Sequence, residues 1–188
     1  MRGFKLLILT FALIFACSLD YPEKTQASEL AESVPQLSFK NFVHTSVEGN
    51  TLIFQLEAQT AQLFNKKKIT VLTGVRFIKY DADGNPALEG QADKAIFYSD
   101  TENAEIEGNI IFYVYSEKIT FYAEELQWDS KQKILASNSG KIVKITKDDG
   151  SFIQGSYFLS DGRRRSLSYE GPVYGRYFFD EETKDEEK

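Results

Sequence analysis

The chain has 188 residues, 42% of them hydrophobic, 14% aromatic and 27% charged, the composition of a globular protein with about one domain. Its formal net charge is −6, and no basic stripe runs along the sequence to meet a phosphate backbone, which argues against nucleic-acid binding. Fifteen Phe and ten Tyr against one Met and one Trp favour strands over helices.

The N-terminus reads as an address. In "MRGFKLLILTFALIFAC" a short basic region precedes an apolar stretch, Leu6 to Ala16, that is too short to span a bilayer, the anatomy of an export signal over residues 1–16. The only cysteine, Cys17, follows Ala16 with Ile14 three positions before it. This resembles a relaxed bacterial lipoprotein cleavage box, with Cys17 the lipidated first residue of the mature chain. An ordinary signal peptide cleaved further on, for example after Ala27, is the alternative. Either way the mature protein works outside the cytoplasm without a disulfide, so pairing and packing must hold it together. Residues 17–38 are polar, carry Pro22 and Pro35, and read as a tether with room for a short helix around Ser28 to Ser33. The β region is expected over 39–179, and the acidic tail 180–188, with six acids and two Lys, is expected to be disordered.

Within the β region the chain repeats itself. Four units begin "LEAQTAQLF" (Leu56), "GQADKAIFY" (Gly90), "FYAEELQWD" (Phe121) and "IQGSYFLSD" (Ile153). Their first small residues, Ala58, Ala92, Ala123 and Gly155, recur after 34, 31 and 32 residues, and the later glycines Gly74, Gly108, Gly140 and Gly171 after 34, 32 and 31. In each unit the small residue opens a strand with an apolar pair. A polar turn follows at Asn65-Lys66, Asp100-Thr101, Asp129-Ser130 or Asp161-Gly162, and a second strand begins at Ile69, Ala104, Ile134 or Leu167. The glycine that ends the unit permits a bulge or bend. About two to three short strands per unit are predicted.

Alternation assigns the faces. Leu52, Phe54, Leu56 and Ala58 share one face against Thr51, Ile53, Gln55 and Glu57, and Ile119, Phe121 and Ala123 share one against Thr120, Tyr122 and Glu124. Val71, Thr73, Val75 and Phe77, with Ile110, Phe112 and Val114, are further inward candidates. The predicted fold is all-β, an elongated and partly open β-jellyroll of about four repeated antiparallel units.

These residues carry a family likeness. The series "LEAQTAQLF", "GQADKAIFY" with "IEGNI", "YAEELQWDSKQKIL", and "DGSFIQGSYFLSD" with "LSYEGPVYG" resembles the LptC-type periplasmic component of the lipopolysaccharide export bridge, among the OstA-like proteins, over roughly Phe39 to Tyr177. The resemblance implies a jellyroll whose two sheets do not fully close and a hydrophobic groove for the acyl chains of lipopolysaccharide or a related glycolipid. It further implies delivery from the permeases of an inner-membrane ABC transporter and handover to a periplasmic OstA-like partner. The sequence departs from the better-known members in its short N-terminal apolar segment ending at Cys17, where they carry a spanning helix.

On this reading the groove candidates are Leu52, Phe54, Leu56, Val75, Phe77, Phe97, Ile110, Phe112, Val114, Ile119, Phe121 and Trp128. Apolar burial is non-directional, at about 25 cal/mol per Å2, so passage of a lipid needs only a continuous apolar path. The last strand, Val173, Tyr174, Gly175, Arg176, Tyr177 and Phe178, running to Phe179, is the candidate edge for the downstream partner, and the strands around Phe39 to Phe54 would face the transporter. The protein is expected on the periplasmic side of the cell envelope, tethered at the inner membrane. The rival from another class is a structural or adhesive surface lipoprotein in which the same aromatics fill an ordinary core. His44 has no Cys, Asp or Glu at ligand spacing, and no metal or other cofactor is expected. Neither Glu124-Glu125 nor Asp148-Asp149 forms a catalytic pair. No Ser-His-Asp set is present, so an enzyme is not expected. The cluster "GRRRS", Gly162 to Ser166, could meet lipid phosphates or stand as a solvated turn.

Overall fold

A computed structural model describes residues 33–137 and 140–178. The expected signal segment, Cys17, most of the tether and its short helix, and the acidic tail 180–188 lie outside the described residues. All strands belong to the unit Pro35–Lys188. They are β1 Leu37–Glu48, β2 Thr51–Phe64, β3 Ile69–Tyr80, β4 Pro86–Tyr98, β5 Asn103–Val114, β6 Ile119–Asp129, β7 Ile134–Ala136, β8 Ile142–Lys147, β9 Phe152–Ser156, β10 Phe158–Asp161, β11 Ser166–Tyr169 and β12 Val173–Arg176.

The all-β expectation holds: the strands form one open antiparallel sheet of twelve, folded over on itself as an open β-jellyroll. Strands β1 to β7 pair in chain order. At β6 the sheet forks: Ile119–Tyr122 pairs with β8, and Gln127–Asp129 pairs with β7. One branch continues β8-β9-β12 and the other β7-β10-β11.

The predicted turns are in place. Each repeat closes a hairpin through a four-residue turn, at 65–68, 99–102, 130–133 and 162–165. Each turn ends on a residue of positive φ: Lys68, Glu102, Lys133 and Arg165, at 53°, 58°, 59° and 51°.

The strands themselves depart from expectation. Instead of two or three short strands per repeat, β2 to β6 are 11 to 14 residues long, and each is creased near its middle. The small residues Ala58, Ala92 and Ala123 therefore sit inside strands rather than opening them. The crease runs across the sheet through Asn41, Gln59, Gly74, Asp93, the pair Gly108-Asn109, and Glu124. Asn41, Gly74, Gly108 and Asn109 have φ of 52°, 58°, 76° and 47°, a left-handed conformation that costs other residues about 1–2 kcal/mol. The ladder shifts register where β4 and β6 pass Gly108 and Asn109, as a bulge does. Gly140 and Gly171, the corresponding glycines of the last two units, lack positive φ and lie outside strands.

The crease reverses the alternation of side chains. In β2 the inward set is Leu52, Phe54, Leu56 and Ala58 on one side and Ala61 and Leu63 on the other. In β3, Leu72 is buried with Val75, so Val71 and Thr73, expected inward, point outward. The left-handed Gly74 between Leu72 and Val75 shifts the period by one, and a shift of one exchanges the faces.

The crease is also held by side chains. A Cβ on Gly108 would lie 2.5 Å from Asp93 Oδ2, and the Asn109 amide donates to that same oxygen at 2.7 Å. Gly108→Ala is therefore expected to destabilise the fold by about 2 kcal/mol, from the left-handed backbone and the displaced carboxylate. Urea unfolding measures this as a lowered midpoint with unchanged slope.

Candidate functional site

The crease turns the two halves of the sheet face to face. Phe121, before the crease in β6, meets Phe158 of the other half edge-on at 6.0 Å between ring centroids. Around this contact Ile110, Phe112, Ala123, Leu126, Val143, Ile145 and Phe158 are buried in one cluster, with Leu135 and Tyr169 packed against it. A second, smaller cluster, Ala58, Ala61, Leu72 and Val75, follows the crease beneath β1 to β3.

The ladder places the sequence candidates in rows. One row crosses Leu56, Phe77, Gly90, Phe112, Phe121 and Ile145, and the next outward crosses Phe54, Lys79, Leu88, Val114 and Ile119. Beyond the crease a row crosses Leu63, Thr70, Phe97, Ala104, Trp128 and Leu135. Leu52 continues its strand's inward face opposite Val47. All twelve groove candidates thus share the inner face. Val75, Ile110 and Phe112 are buried, Phe97 is exposed, and the other eight are half-buried. Gly90 makes room within the row: a Cβ there would stand 2.4 Å from the Phe112 ring and 2.6 Å from the Phe77 ring, which meet edge-on at 5.5 Å.

Packing is uneven along the sheet. At the β7–β11 end Phe158 and Leu126 are 1% and 0% exposed. At the β1 end the inward Leu37 and Phe39 are 50% and 45% exposed, and Phe54, Leu56 and Leu63 are half-buried. Those facing apolar side chains leave surface uncovered between the halves. The groove candidates read from the sequence did not include Leu37, Phe39, Leu63 and Leu72; the positive-φ residues Asn41 and Gly74 are the signal that assigns them inward.

The buried polar side chains at the packed end are Ser137, Ser156 and the hydroxyl of Tyr169. The Tyr169 hydroxyl is buried there with no hydrogen-bond partner among the described residues, and burial pushes its pKa up to about 12, so it stays neutral. The other perturbed tyrosines donate to carboxylates on the outside. Tyr115 donates to Glu89 at 3.0 Å and Tyr98 to Glu105 at 2.8 Å, and each of these bonds raises its tyrosine's pKa, aided by desolvation. His44 is exposed on β1 beside Ser46, at 3.2 Å. No group of His, Cys, Asp and Glu able to hold a metal occurs among the described residues.

The sheet ends in free edges. Among the described residues β1 pairs only with β2, β11 only with β10, and β12 only with β9. β12, Val173–Arg176, is shorter than the predicted strand, but the Phe178 N–H still donates to Ser151 Oγ at 2.9 Å. Tyr174 packs on Phe152 at 5.6 Å, and Lys147 lies over Tyr177 at 5.5 Å.

An open creased sheet with an apolar inner face and free edges agrees with what the sequence resembles, and a family comparison decides it. Residues 5–155 match the family described as "Lipopolysaccharide-assembly, LptC-related". The chain belongs to that family. No curated protein matches it. Membership gives the chain a role in lipopolysaccharide transport and a place among periplasmic components of the cell envelope, in a family of transport-bridge proteins not known as enzymes. The match ends at Gly155, so β10, β11 and β12 lie beyond it.

Proposed function

We propose that the protein is a non-enzymatic link in a glycolipid bridge. It takes lipopolysaccharide or a related glycolipid from the permeases of an inner-membrane ABC transporter, holds its acyl chains between the two halves of the sheet, and passes it to a periplasmic protein of the same fold. The carrying observation is the inner face: the twelve apolar candidates share it in rows interrupted at Lys79 and Thr70, close-packed at one end and less covered at the other. Acyl chains need no directional partner, and such surface favours them at about 25 cal/mol per Å2 buried. The free edges give the handover a basis, since an unpaired strand can add a strand from a partner. Membrane attachment through a lipidated Cys17 belongs to the same proposal.

The rival, a structural or adhesive lipoprotein, draws on the packed cluster around Phe158, which is an ordinary core. The half-exposed apolar rows at the β1 end favour the conduit.

Photo-crosslinking in cells separates the two. With a benzophenone amino acid at Phe54, Phe112 or Phe121, glycolipid adducts are expected, and none at the outward Gln55 and Thr120. A folded, exported protein that gives no adduct at any inward position is the structural lipoprotein instead.

A further inference from the structure

The four repeat turns gather at one end of the strands and are tied into a row. Asn65 N–H donates to Gln36 Oε1 at 2.7 Å, Ser99 N–H to the Lys68 carbonyl at 2.9 Å, Ser130 N–H to Asn103 Oδ1 at 3.0 Å, and Gly162 N–H to the Lys133 carbonyl at 2.9 Å. The Arg163 guanidinium also donates to the Lys131 carbonyl. Together these turns carry eight basic and two acidic side chains. The turns at the other end, 49–50, 81–85, 115–118 and 148–151, carry five acidic and one basic. The cations lie about a repeat apart in the chain, so no basic stripe shows in the sequence; the fold assembles it.

Because the crease lies mid-strand, the two sets of turns form the two lips of the gap between the halves. One lip is basic and the other acidic. The basic lip is densest at turns 130–133 and 162–165, with Lys131, Lys133, Arg163, Arg164 and Arg165. Arg164 reaches Asp161 at 3.6 Å, and the other four make no ion pair among the described residues. Lys133 Nζ stands 5.8 Å from the ring centroid of the inward Trp128, so an ammonium sits where the apolar face ends. Asp161 Oδ1 accepts the N–H groups of Arg163 and Arg164 at 2.9 and 3.0 Å. The Arg164 bond foremost, with that of Arg163, holds its carboxyl below the usual carboxylate range against an opposing effect of desolvation, and the turn keeps its form.

We propose that this pair of turns binds the phosphorylated headgroup of the glycolipid whose acyl chains lie between the halves; the inference rests on the conduit reading above. A phosphate monoester carries close to two charges at neutral pH and pairs with guanidinium through two hydrogen bonds. Neighbouring hairpin turns are about 10 Å apart, two strand spacings, close to the screening length of about 8 Å in physiological salt, so their fields add at one headgroup. The acidic lip repels that same group. The lipid is thereby held in one orientation, headgroup towards β6–β7 and β10–β11.

The test uses the full-length chain in detergent with two probes, diphosphoryl lipid A and the same lipid stripped of both phosphates. A variant with Lys131, Lys133, Arg163, Arg164 and Arg165 all changed to Gln is expected to lose about tenfold or more in affinity for the diphosphoryl lipid and nothing for the stripped one. Arg163→Lys, Arg164→Lys and Arg165→Lys together keep the charge but lose the two-bond pairing of guanidinium, and are expected to bind between the wild type and the Gln variant. Circular dichroism checks folding, which these exposed turn side chains should not affect. Unchanged diphosphoryl binding by the Gln variant overturns the headgroup site and leaves the conduit standing, because the stripped lipid reports on the apolar face alone. Failure of the wild type to bind either lipid overturns both. Loss of binding to phosphatidylglycerol vesicles with lipid A affinity retained would make the lip a membrane-facing patch and also overturn the proposal.

Discussion

Truncation after Pro172 is expected to abolish handover of lipid to the periplasmic partner while leaving the domain folded and loaded. Among the described residues β12 hydrogen-bonds to β9 alone, and its four residues are exposed, with Val173 and Tyr174 at 50% and 60%. Removing so little buried surface costs the fold little. What goes is the outer edge on which a partner strand would pair, together with Tyr174 and Tyr177 beside it. The cut bares β9 instead, one strand spacing or about 4.8 Å away, so a partner built to meet β12 loses its place. Two readouts are needed: glycolipid adducts at Phe54, which should persist, and transfer of labelled lipid to the purified partner, which should stop. Transfer that continues would place the handover at another edge, with β11 the nearest choice.

Phe158→Ala is expected to cost about 3–5 kcal/mol, the usual range for emptying a buried aromatic site. Phe158 is 1% exposed, joins the two halves through Phe121 at 6.0 Å, and packs on Tyr169 of its own half at 5.5 Å. At about 2–4 °C per kcal/mol for a domain of this size, its melting temperature should drop by roughly 10 °C. Phe97→Ala is the contrast, since that side chain is inward but 39% exposed and should cost about 1 kcal/mol or less. Thermal melts of the two variants compare closed and open parts of the same inner face, and equal losses would mean that the face around Phe97 is packed like that around Phe158.

Much of this was legible in the sequence where local chemistry decides the conformation. The four polar turns stand where the repeat puts them, and strands β3 and β7 begin at the expected Ile69 and Ile134. Alternation assigned Phe54, Phe112 and Phe121 to one face, as the ladder does. It failed at Val71 and Thr73 because a period of two was carried through Gly74, where the backbone turns left-handed and the faces exchange. Gly140 and Gly171 look equivalent to Gly74 in spacing, yet the sheet has forked by then, and short strands on two branches need no shared crease. The charged lip was only partly legible: "RRR" stood out as a cluster that could meet lipid phosphates, but "KKK" and "KQK" are unremarkable turns until strand pairing brings all three to one lip.

The pairing of β1 to β7 in chain order bears on how the sheet assembles. Each of these strands meets a neighbour across a turn of two to five residues, so each closure restrains only a short loop and its entropy cost stays low. The sheet can zip from its first hairpin as the chain becomes available. The contacts that must wait are those of the second branch, where β10 returns to β7 past β8 and β9. The slow step of folding is therefore expected to be the docking of Phe158 onto Phe121, which joins the two halves after each has formed.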